Sequence, residues 1–192
     1  MTTETRPSPL ATAMNLPNQL TIARVALSIV LFVCVSYDWF AAAFVLFVVA
    51  ASTDWLDGYF ARKYGLVTTL GRILDPFADK LIICGTFIFL AAEPVSGIRP
   101  WMAVTVMGRE LLVTALRSFL EQRGTDFSAD FSGKLKMVLQ CVAAGASLFY
   151  LAFQPTWLVE PVVWIAWAAV AMTIYSGLAY VRRAVRLLGE TE

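Results

Sequence analysis

The sequence contains no histidine among its 192 residues. This absence excludes Ser–His and Cys–His catalytic pairs, a phosphohistidine intermediate and the usual zinc sites. The three cysteines, Cys34, Cys84 and Cys141, lie in separate apolar runs. We therefore expect them to be small buried side chains and not a disulfide framework. Charged residues make up only 15% of the chain, with a net charge of +1, so nucleic acid is not an expected partner.

Apolar residues are abundant instead. They make up 59% of the chain, whereas soluble domains average about 45–50%, so a surface that faces water is hard to build from this sequence. The first residues do not follow the pattern of a cleavable secretory signal. We interpret residues 1–14, which are rich in proline and polar side chains, as a flexible cytoplasmic segment.

Apolar runs close to twenty residues long recur along the chain, and about twenty helical residues cross a bilayer. Because backbone groups in lipid must be paired within their own segment, the sequence predicts an all-α, polytopic membrane protein with six transmembrane helices. One domain would span residues 15–187, followed by a short tail at 188–192. The predicted spans are Leu16–Tyr37, Trp39–Phe60, Ile73–Ala92, Pro100–Leu120, Gly133–Phe153 and Pro161–Tyr180.

The distribution of lysine and arginine predicts the orientation of these spans. Basic residues concentrate in the second and fourth joints and after the last span, whereas Arg99 is the one basic residue in the other three joints. Since cytoplasmic loops carry the excess of positive charge, we expect both termini to face the cytoplasm. The protein is then expected in the cell (inner) membrane.

Four aspartates interrupt this apolar pattern. Asp54 and Asp57 lie near the end of the second span, and Asp75 and Asp79 lie at the start of the third. Each pair occupies one helical face, and the short joint between the spans brings the two faces to the same side of the membrane. A carboxylate at membrane depth costs at least about 2.5 kcal/mol, so the cluster needs a counter-ion or a function.

Divalent cations would neutralise such a cluster, and ligation by oxygen alone favours Mg²⁺, Mn²⁺ or Ca²⁺ over softer metals. Two such cations also form the usual clamp for displacement at phosphorus. The alternatives are a pathway for protons or cations, as in a transporter, or simple pairing of the aspartates with Arg62, Arg72 and Lys80. The acidic groups lie at one face of the membrane and not at its midplane, which disfavours a transporter.

The residues from Asp54 to Asp79 match the pattern D-x-x-D-G-x-x-A-R-(x)8-G-x-x-x-D-x-x-x-D at every fixed position. The sequence therefore resembles the CDP-alcohol phosphatidyltransferases. The resemblance implies a six-helix fold, a homodimer, an active-site cavity open to the cytoplasm and two divalent cations, Mg²⁺ or Mn²⁺.

The resemblance also implies roles for individual residues. Asp79 would be the general base and would complete a set of metal ligands consisting of Asp54, Asp57, Asp75 and Asp79. CDP-diacylglycerol would contact an N-terminal segment that extends to Arg24, together with the motif itself. These implied contacts are Pro17, Asn18, Gln19, Leu20, Thr21, Asp54, Asp57, Gly58, Ala61, Arg62, Thr68 and Gly71.

The acceptor alcohol is predicted from two segments outside this motif. Residues 107–117 and 132–140 resemble phosphatidylglycerophosphate synthases within the family, although Met137 stands where many of these enzymes have threonine. These two segments carry more positively charged side chains than the binding of a neutral alcohol would require, so the expected acceptor is the anion glycerol 3-phosphate. Inositol phosphate, serine and phosphatidylglycerol are the alternatives within the family. The candidate acceptor-binding residues are Arg109, Arg117, Lys134 and Lys136.

Overall fold

The computed structural model describes residues 16–64, 69–123 and 131–189. Over these ranges the chain forms six long α-helices and one 3₁₀ turn, with no strand, so the predicted all-α class is confirmed. Every predicted span corresponds to one helix. The helices are α1 Leu16–Ser36, α2 Phe40–Tyr64, α3 Thr69–Ala91, α4 Pro100–Gln122, α5 Phe131–Phe153 and α6 Val159–Gly189, and the 3₁₀ turn is Thr156–Leu158.

The turn between α1 and α2 is a Schellman motif. Asp38 adopts a left-handed backbone conformation with φ of 60°, the N–H of Trp39 donates to the carbonyl of Cys34 at 2.8 Å, and the N–H of Asp38 donates to the carbonyl of Val35 at 3.1 Å. These two bonds satisfy carbonyls at the end of α1 that would otherwise lack partners. The chain can therefore reverse direction over three residues.

The start of α4 also follows from local sequence. Pro100 occupies the first helical position and Arg99 before it is extended, with φ of −105° and ψ of 154°. Proline is favoured at this position because its fixed φ suits a helix and its missing N–H would have no partner there. The predicted and observed beginnings of this helix coincide for this reason.

The helices pack around one main core. α1 packs against α2 and α3, α5 packs against α2, α3 and α6, and α4 lies between α3 and α6. The main core includes Leu31, Phe47, Phe87 and Met102. A smaller cluster consisting of Val113, Leu120, Tyr180 and Ala184 joins α4 to α6.

Two helical stretches of the described chain, Phe131–Phe153 and Thr156–Leu187, are long and apolar enough to cross a membrane. Shorter apolar stretches run over Thr21–Ser36 and Phe40–Thr53. Large apolar side chains also point outward from the bundle, among them Val45 on α2, which is 58% exposed. The apolar helices and the many exposed apolar side chains are typical of a protein that lies in a membrane.

α1 and α3 approach closely at Gly85. A Cβ atom added there would lie 2.1 Å from the Cζ atom of Phe32, whose ring stacks on Phe89 with centroids 4.9 Å apart. Gly85→Ala should therefore displace the ring of Phe32 and destabilise the fold by about 1–3 kcal/mol. Thermal unfolding of the purified protein in detergent measures this loss as a lower melting temperature.

Gly108→Ala is the matched control, because Gly108 also lies in a helix and a Cβ added there meets no atom within 4 Å. This change should be neutral or stabilising, since alanine favours helix by about 1 kcal/mol over glycine. Equal melting temperatures for the two variants would contradict the close approach of α1 and α3.

Candidate active site

A cavity of about 490 Å³ opens among α1, α2, α3, α4 and α5. One face of α3 lines it with Pro76, Asp79, Lys80 and Ile83, which are spaced as neighbours on a helix surface. The wall opposite is mainly apolar and includes Phe47 of α2. The charged side chains that line this cavity are Arg24, Asp79, Lys80, Glu110, Arg117 and Lys136.

Asp79 on α3 forms an ion pair with Arg24 on α1. Its Oδ1 atom accepts a hydrogen bond from Nη1 of Arg24 at 2.7 Å; the Arg24 side chain is 4% exposed and that of Asp79 is 42% exposed. The carbonyl of Arg24 in turn accepts a hydrogen bond from the Ser28 hydroxyl at 2.8 Å. A buried guanidinium thus orients a carboxylate that remains accessible from the cavity.

Glu110 is the centre of a second charged group, on α4 and α5. Glu110 and Lys136 are 8% and 6% exposed, and Nζ of Lys136 donates to Oε1 of Glu110. The same oxygen accepts from Nη1 of Arg109 at 3.2 Å. A buried carboxylate is tolerated here because its charge is paired with two cations.

This pair is extended to α6 by hydrogen bonds. Nζ of Lys136 lies 3.4 Å from Oε1 of Gln140, and Nε2 of Gln140 donates to Oγ1 of Thr173 at 2.9 Å. The Thr173 hydroxyl donates to the carbonyl of Ala169 at 2.6 Å. Lys136, which lines the cavity, is therefore held in one position by a chain of contacts across two helices.

Arg109 points away from the cavity and into the interface between α4 and α6. Its Nη2 atom donates to Oγ of Ser176 at 2.7 Å, and its guanidinium carbon lies 5.3 Å from the centre of the Tyr180 ring. Gly177 leaves room for this side chain, because a Cβ there would lie 3.1 Å from Cγ of Arg109. Lys134 is exposed at the start of α5 and is not among the described residues that line the cavity.

Two cavity contacts were not expected from the sequence. Nζ of Lys80 donates to Oγ1 of Thr114, and the side chain of Gln140 faces the same space. The spacing of Glu110, Thr114 and Arg117 along α4 places them on one face, which was the available signal for Thr114. For Lys80, the feature of the sequence that could have placed it at the site was its position directly after Asp79.

Several predicted site residues lie beyond the described side chains. The backbone of α2 includes Asp54, Asp57, Gly58, Ala61 and Arg62, and that of α3 includes Gly71 and Asp75, but their side chains lie outside the described set, as do those of Pro17, Asn18 and Leu20. Thr68 falls in the gap at 65–68, and residues 1–14 also lie outside the described ranges.

Of the remaining predicted contacts, Gln19 is exposed and Thr21 is buried near the start of α1. Of the four aspartates, only Asp79 has a described side chain. Within the described side chains, no group of three or more acidic or cysteine residues could hold a metal ion. The predicted four-carboxylate site thus remains a prediction.

Comparisons with known proteins agree with the motif. A sequence model of the CDP-alcohol phosphatidyltransferase family matches residues 14–175. The chain is 37% identical over 184 residues to CDP-diacylglycerol–glycerol-3-phosphate 3-phosphatidyltransferase of Bacillus subtilis, a match that covers 86% of this chain and 93% of the relative.

Two further relatives give the same result. A probable phosphatidylglycerophosphate synthase of Mycobacterium tuberculosis is 36% identical over 181 residues, covering 91% of this chain and 84% of its own. The CDP-diacylglycerol–glycerol-3-phosphate 3-phosphatidyltransferase of Rickettsia typhi is 36% identical over 178 residues, covering 86% of this chain and 94% of its own. The chain therefore belongs to the CDP-alcohol phosphatidyltransferase family and is an enzyme of this type.

Proposed function

We propose that the protein transfers the phosphatidyl group of CDP-diacylglycerol to sn-glycerol 3-phosphate and releases phosphatidylglycerophosphate and CMP. The observation that carries the proposal is a single cavity that combines the carboxylate of Asp79 with the cations of Arg117 and Lys136. A proton acceptor and binding groups for an anionic alcohol are what this reaction requires. The relatives named above carry the name of the same activity.

The enzyme is proposed to act at the cytoplasmic face of the inner membrane, with all six helices crossing the bilayer and both termini in the cytoplasm. Arg117 lies toward the end of α4 and Lys136 toward the beginning of α5, which are cytoplasmic ends by the distribution of lysine and arginine. Asp79, Lys80 and Glu110 lie near the middle of their helices. CDP-diacylglycerol would lie with its acyl chains in the lipid. A homodimer is the assembly that the family resemblance supports.

Asp79 is the proposed general base. It would take the proton of the terminal hydroxyl of glycerol 3-phosphate while the oxygen forms a bond to the β-phosphorus of CDP-diacylglycerol. The bond from that phosphorus to the oxygen of CMP breaks in the same displacement, so no covalent enzyme intermediate is needed. The 2.7 Å contact from the buried guanidinium of Arg24 supports this role because it fixes the direction of the carboxylate.

Arg117 and Lys136 are the proposed contacts of the acceptor phosphate. Nε of Arg117 is buried and has no hydrogen-bond partner in the described part of the chain, which is expensive unless a ligand supplies one. Lys136 lies on the cavity wall. Arg109, by its contacts with Glu110 and Ser176, would support Lys136 indirectly, and Lys134 would contribute positive charge at the mouth of the cavity.

Asp54, Asp57, Asp75 and Asp79 are the proposed ligands of two divalent cations. The exposed carboxylate of Asp79 supplies hard oxygen ligands, which suit Mg²⁺ or Mn²⁺. When bound, such cations would stabilise negative charge on the diphosphate of the donor. Gly58, Ala61, Arg62, Thr68 and Gly71, with residues 17–21, remain the proposed contacts of the nucleotide.

The direct test is an assay of the purified enzyme with CDP-diacylglycerol and labelled acceptors. Glycerol 3-phosphate should give labelled lipid with equimolar release of CMP, and EDTA should abolish the reaction until Mg²⁺ or Mn²⁺ is added back. Glycerol and serine, which carry no net negative charge, should each give much less product, since the cavity has more cationic than anionic side chains. Inositol phosphate and phosphatidylglycerol are the anionic alternatives to compare in the same assay.

Efficient transfer to one of these other alcohols, with none to glycerol 3-phosphate, would contradict the proposed acceptor. Labelled lipid that still forms at the full rate in EDTA would contradict the metal requirement. Flux of ions through proteoliposomes without any release of CMP would indicate a transporter.

Asp79→Asn should lower kcat by about 100-fold or more, because general-base catalysis is typically worth a factor of 10² to 10⁴. The KM values should change less than kcat. Asp38→Asn is the control, since Asp38 is an exposed residue of the α1–α2 turn, and its kcat should match that of the wild type. An Asp79→Asn enzyme with nearly normal turnover would remove Asp79 as the base.

A further inference from the structure

The charges of the side chains that line the cavity do not sum to zero. Within the described lining there are four cations, Arg24, Lys80, Arg117 and Lys136, and two carboxylates, Asp79 and Glu110. Arg24 pairs with Asp79, and Lys136 pairs with Glu110. Lys80 and Arg117 are therefore the two cavity cations whose charges are not matched by a carboxylate in the described residues.

The one hydrogen bond of Lys80 within the described chain goes to a neutral group. Its ammonium donates to Oγ1 of Thr114, and this hydroxyl donates its own hydrogen to the carbonyl of Glu110 at 2.6 Å. Because that hydrogen is already used, the hydroxyl can only accept from Lys80. An ammonium group has three N–H bonds, so two remain for a ligand.

Arg117 lies on the same face of α4 as Thr114, three residues further along. Its Nε atom is buried without a hydrogen-bond partner among the described residues. Lys80 from α3 and Arg117 from α4 thus face one cavity, and both have donors that a bound anion could use. Two surplus positive charges match a phosphate monoester, which carries about −1.5 to −2 at pH 7.

We propose that Lys80 is a further acceptor-binding residue, which binds the phosphate of the acceptor together with Arg117, and that Thr114 positions the Lys80 ammonium. This inference rests on the proposed function. It gives the residue after the proposed base a separate role: Asp79 receives the proton of the hydroxyl, and Lys80 binds the charge at the other end of the same small molecule.

The specificity of the enzyme for a phosphorylated alcohol follows from this arrangement. Paired cations such as Lys136 are partly neutralised by their carboxylates, whereas an unpaired ammonium favours an anion strongly. A neutral alcohol would leave the charges of Lys80 and Arg117 without partners in a partly buried cavity, which is costly. Discrimination therefore depends on Lys80 more than on the buried Glu110–Lys136 pair.

The experiment compares Lys80→Met and Lys80→Arg with the wild type. Lys80→Met should raise the KM for glycerol 3-phosphate about tenfold to hundredfold, the effect of one hydrogen bond to a charged group. The KM for CDP-diacylglycerol should stay within about twofold, and inhibition by inorganic phosphate should weaken in parallel. Lys80→Arg should recover most of the acceptor affinity because it keeps the charge.

Thr114→Val tests the positioning role, with Thr105→Val as the matched control. Both hydroxyls donate a hydrogen bond to a carbonyl one turn earlier in α4, and that of Thr105 donates to Trp101 at 2.8 Å. Of the two hydroxyls, only that of Thr114 accepts a hydrogen bond from Lys80. Thr114→Val should raise the KM for glycerol 3-phosphate severalfold and leave kcat little changed. Thr105→Val should leave both constants unchanged. Equal effects of the two changes would overturn the role of Thr114.

A binding measurement without turnover separates this inference from the proposed function. Glycerol 3-phosphate should raise the melting temperature of the wild type and glycerol should not. At the same concentration of glycerol 3-phosphate, Lys80→Met should show a clearly smaller increase, in line with its weaker binding. If glycerol 3-phosphate is a substrate but Lys80→Met keeps the wild-type KM and stabilisation, the role of Lys80 is overturned alone. A wild-type protein that neither uses glycerol 3-phosphate nor is stabilised by it overturns both proposals.

Discussion

Every charge inside an apolar bundle of helices needs a partner, either within the bundle or in a bound ligand, and this constraint accounts for most of what surrounds the cavity. A lone carboxylate or ammonium in such surroundings costs several kcal/mol. Glu110 can be buried because Lys136 and Arg109 both bind its Oε1 atom. Arg24 can be almost completely buried because it binds Asp79. The ion pairs thereby fix how α1, α3, α4 and α5 are arranged around the cavity.

The same constraint separates structural charges from ligand-binding charges. Arg109 contacts Glu110, Ser176 and the ring of Tyr180, so its charge is used within the protein. Arg117 has a buried nitrogen without such a partner in the described chain. Nε of Arg109 is likewise buried without a partner among the described residues, but Arg109 does not line the cavity. Of these two arginines, only Arg117 therefore has a donor that a substrate in the cavity can reach.

Much of the fold could be predicted from sequence, because the length and hydropathy of a span are local properties. The proline at the start of α4 fixed one boundary to the residue. The last membrane span was predicted to end at Tyr180, and the helix that contains it continues to Gly189, since hydropathy falls at Arg182 and Arg183 whereas helical propensity does not. The difference marks where an apolar span ends and a polar continuation of the same helix begins.

The contacts within the site were less predictable, because they depend on how the helices are rotated about their axes. The sequence identified Asp79 and Arg24, but not that they form an ion pair across 55 residues. It grouped Arg109 with Arg117, although the rotation of α4 turns Arg109 toward α6. Lys80 was considered only as a partner for the aspartates, because a periodicity argument cannot detect its contact with Thr114 on another helix.

The central claim is that the carboxylates of α2 and α3 bind divalent cations beside the cavity that holds the acceptor. Anomalous diffraction from crystals of the active enzyme grown with Mn²⁺ and a CDP-diacylglycerol analogue tests it most directly. The account predicts anomalous peaks in contact with Asp79 and with Asp54, Asp57 and Asp75. Active crystals with manganese bound elsewhere, or with these four carboxylates far apart, would contradict it.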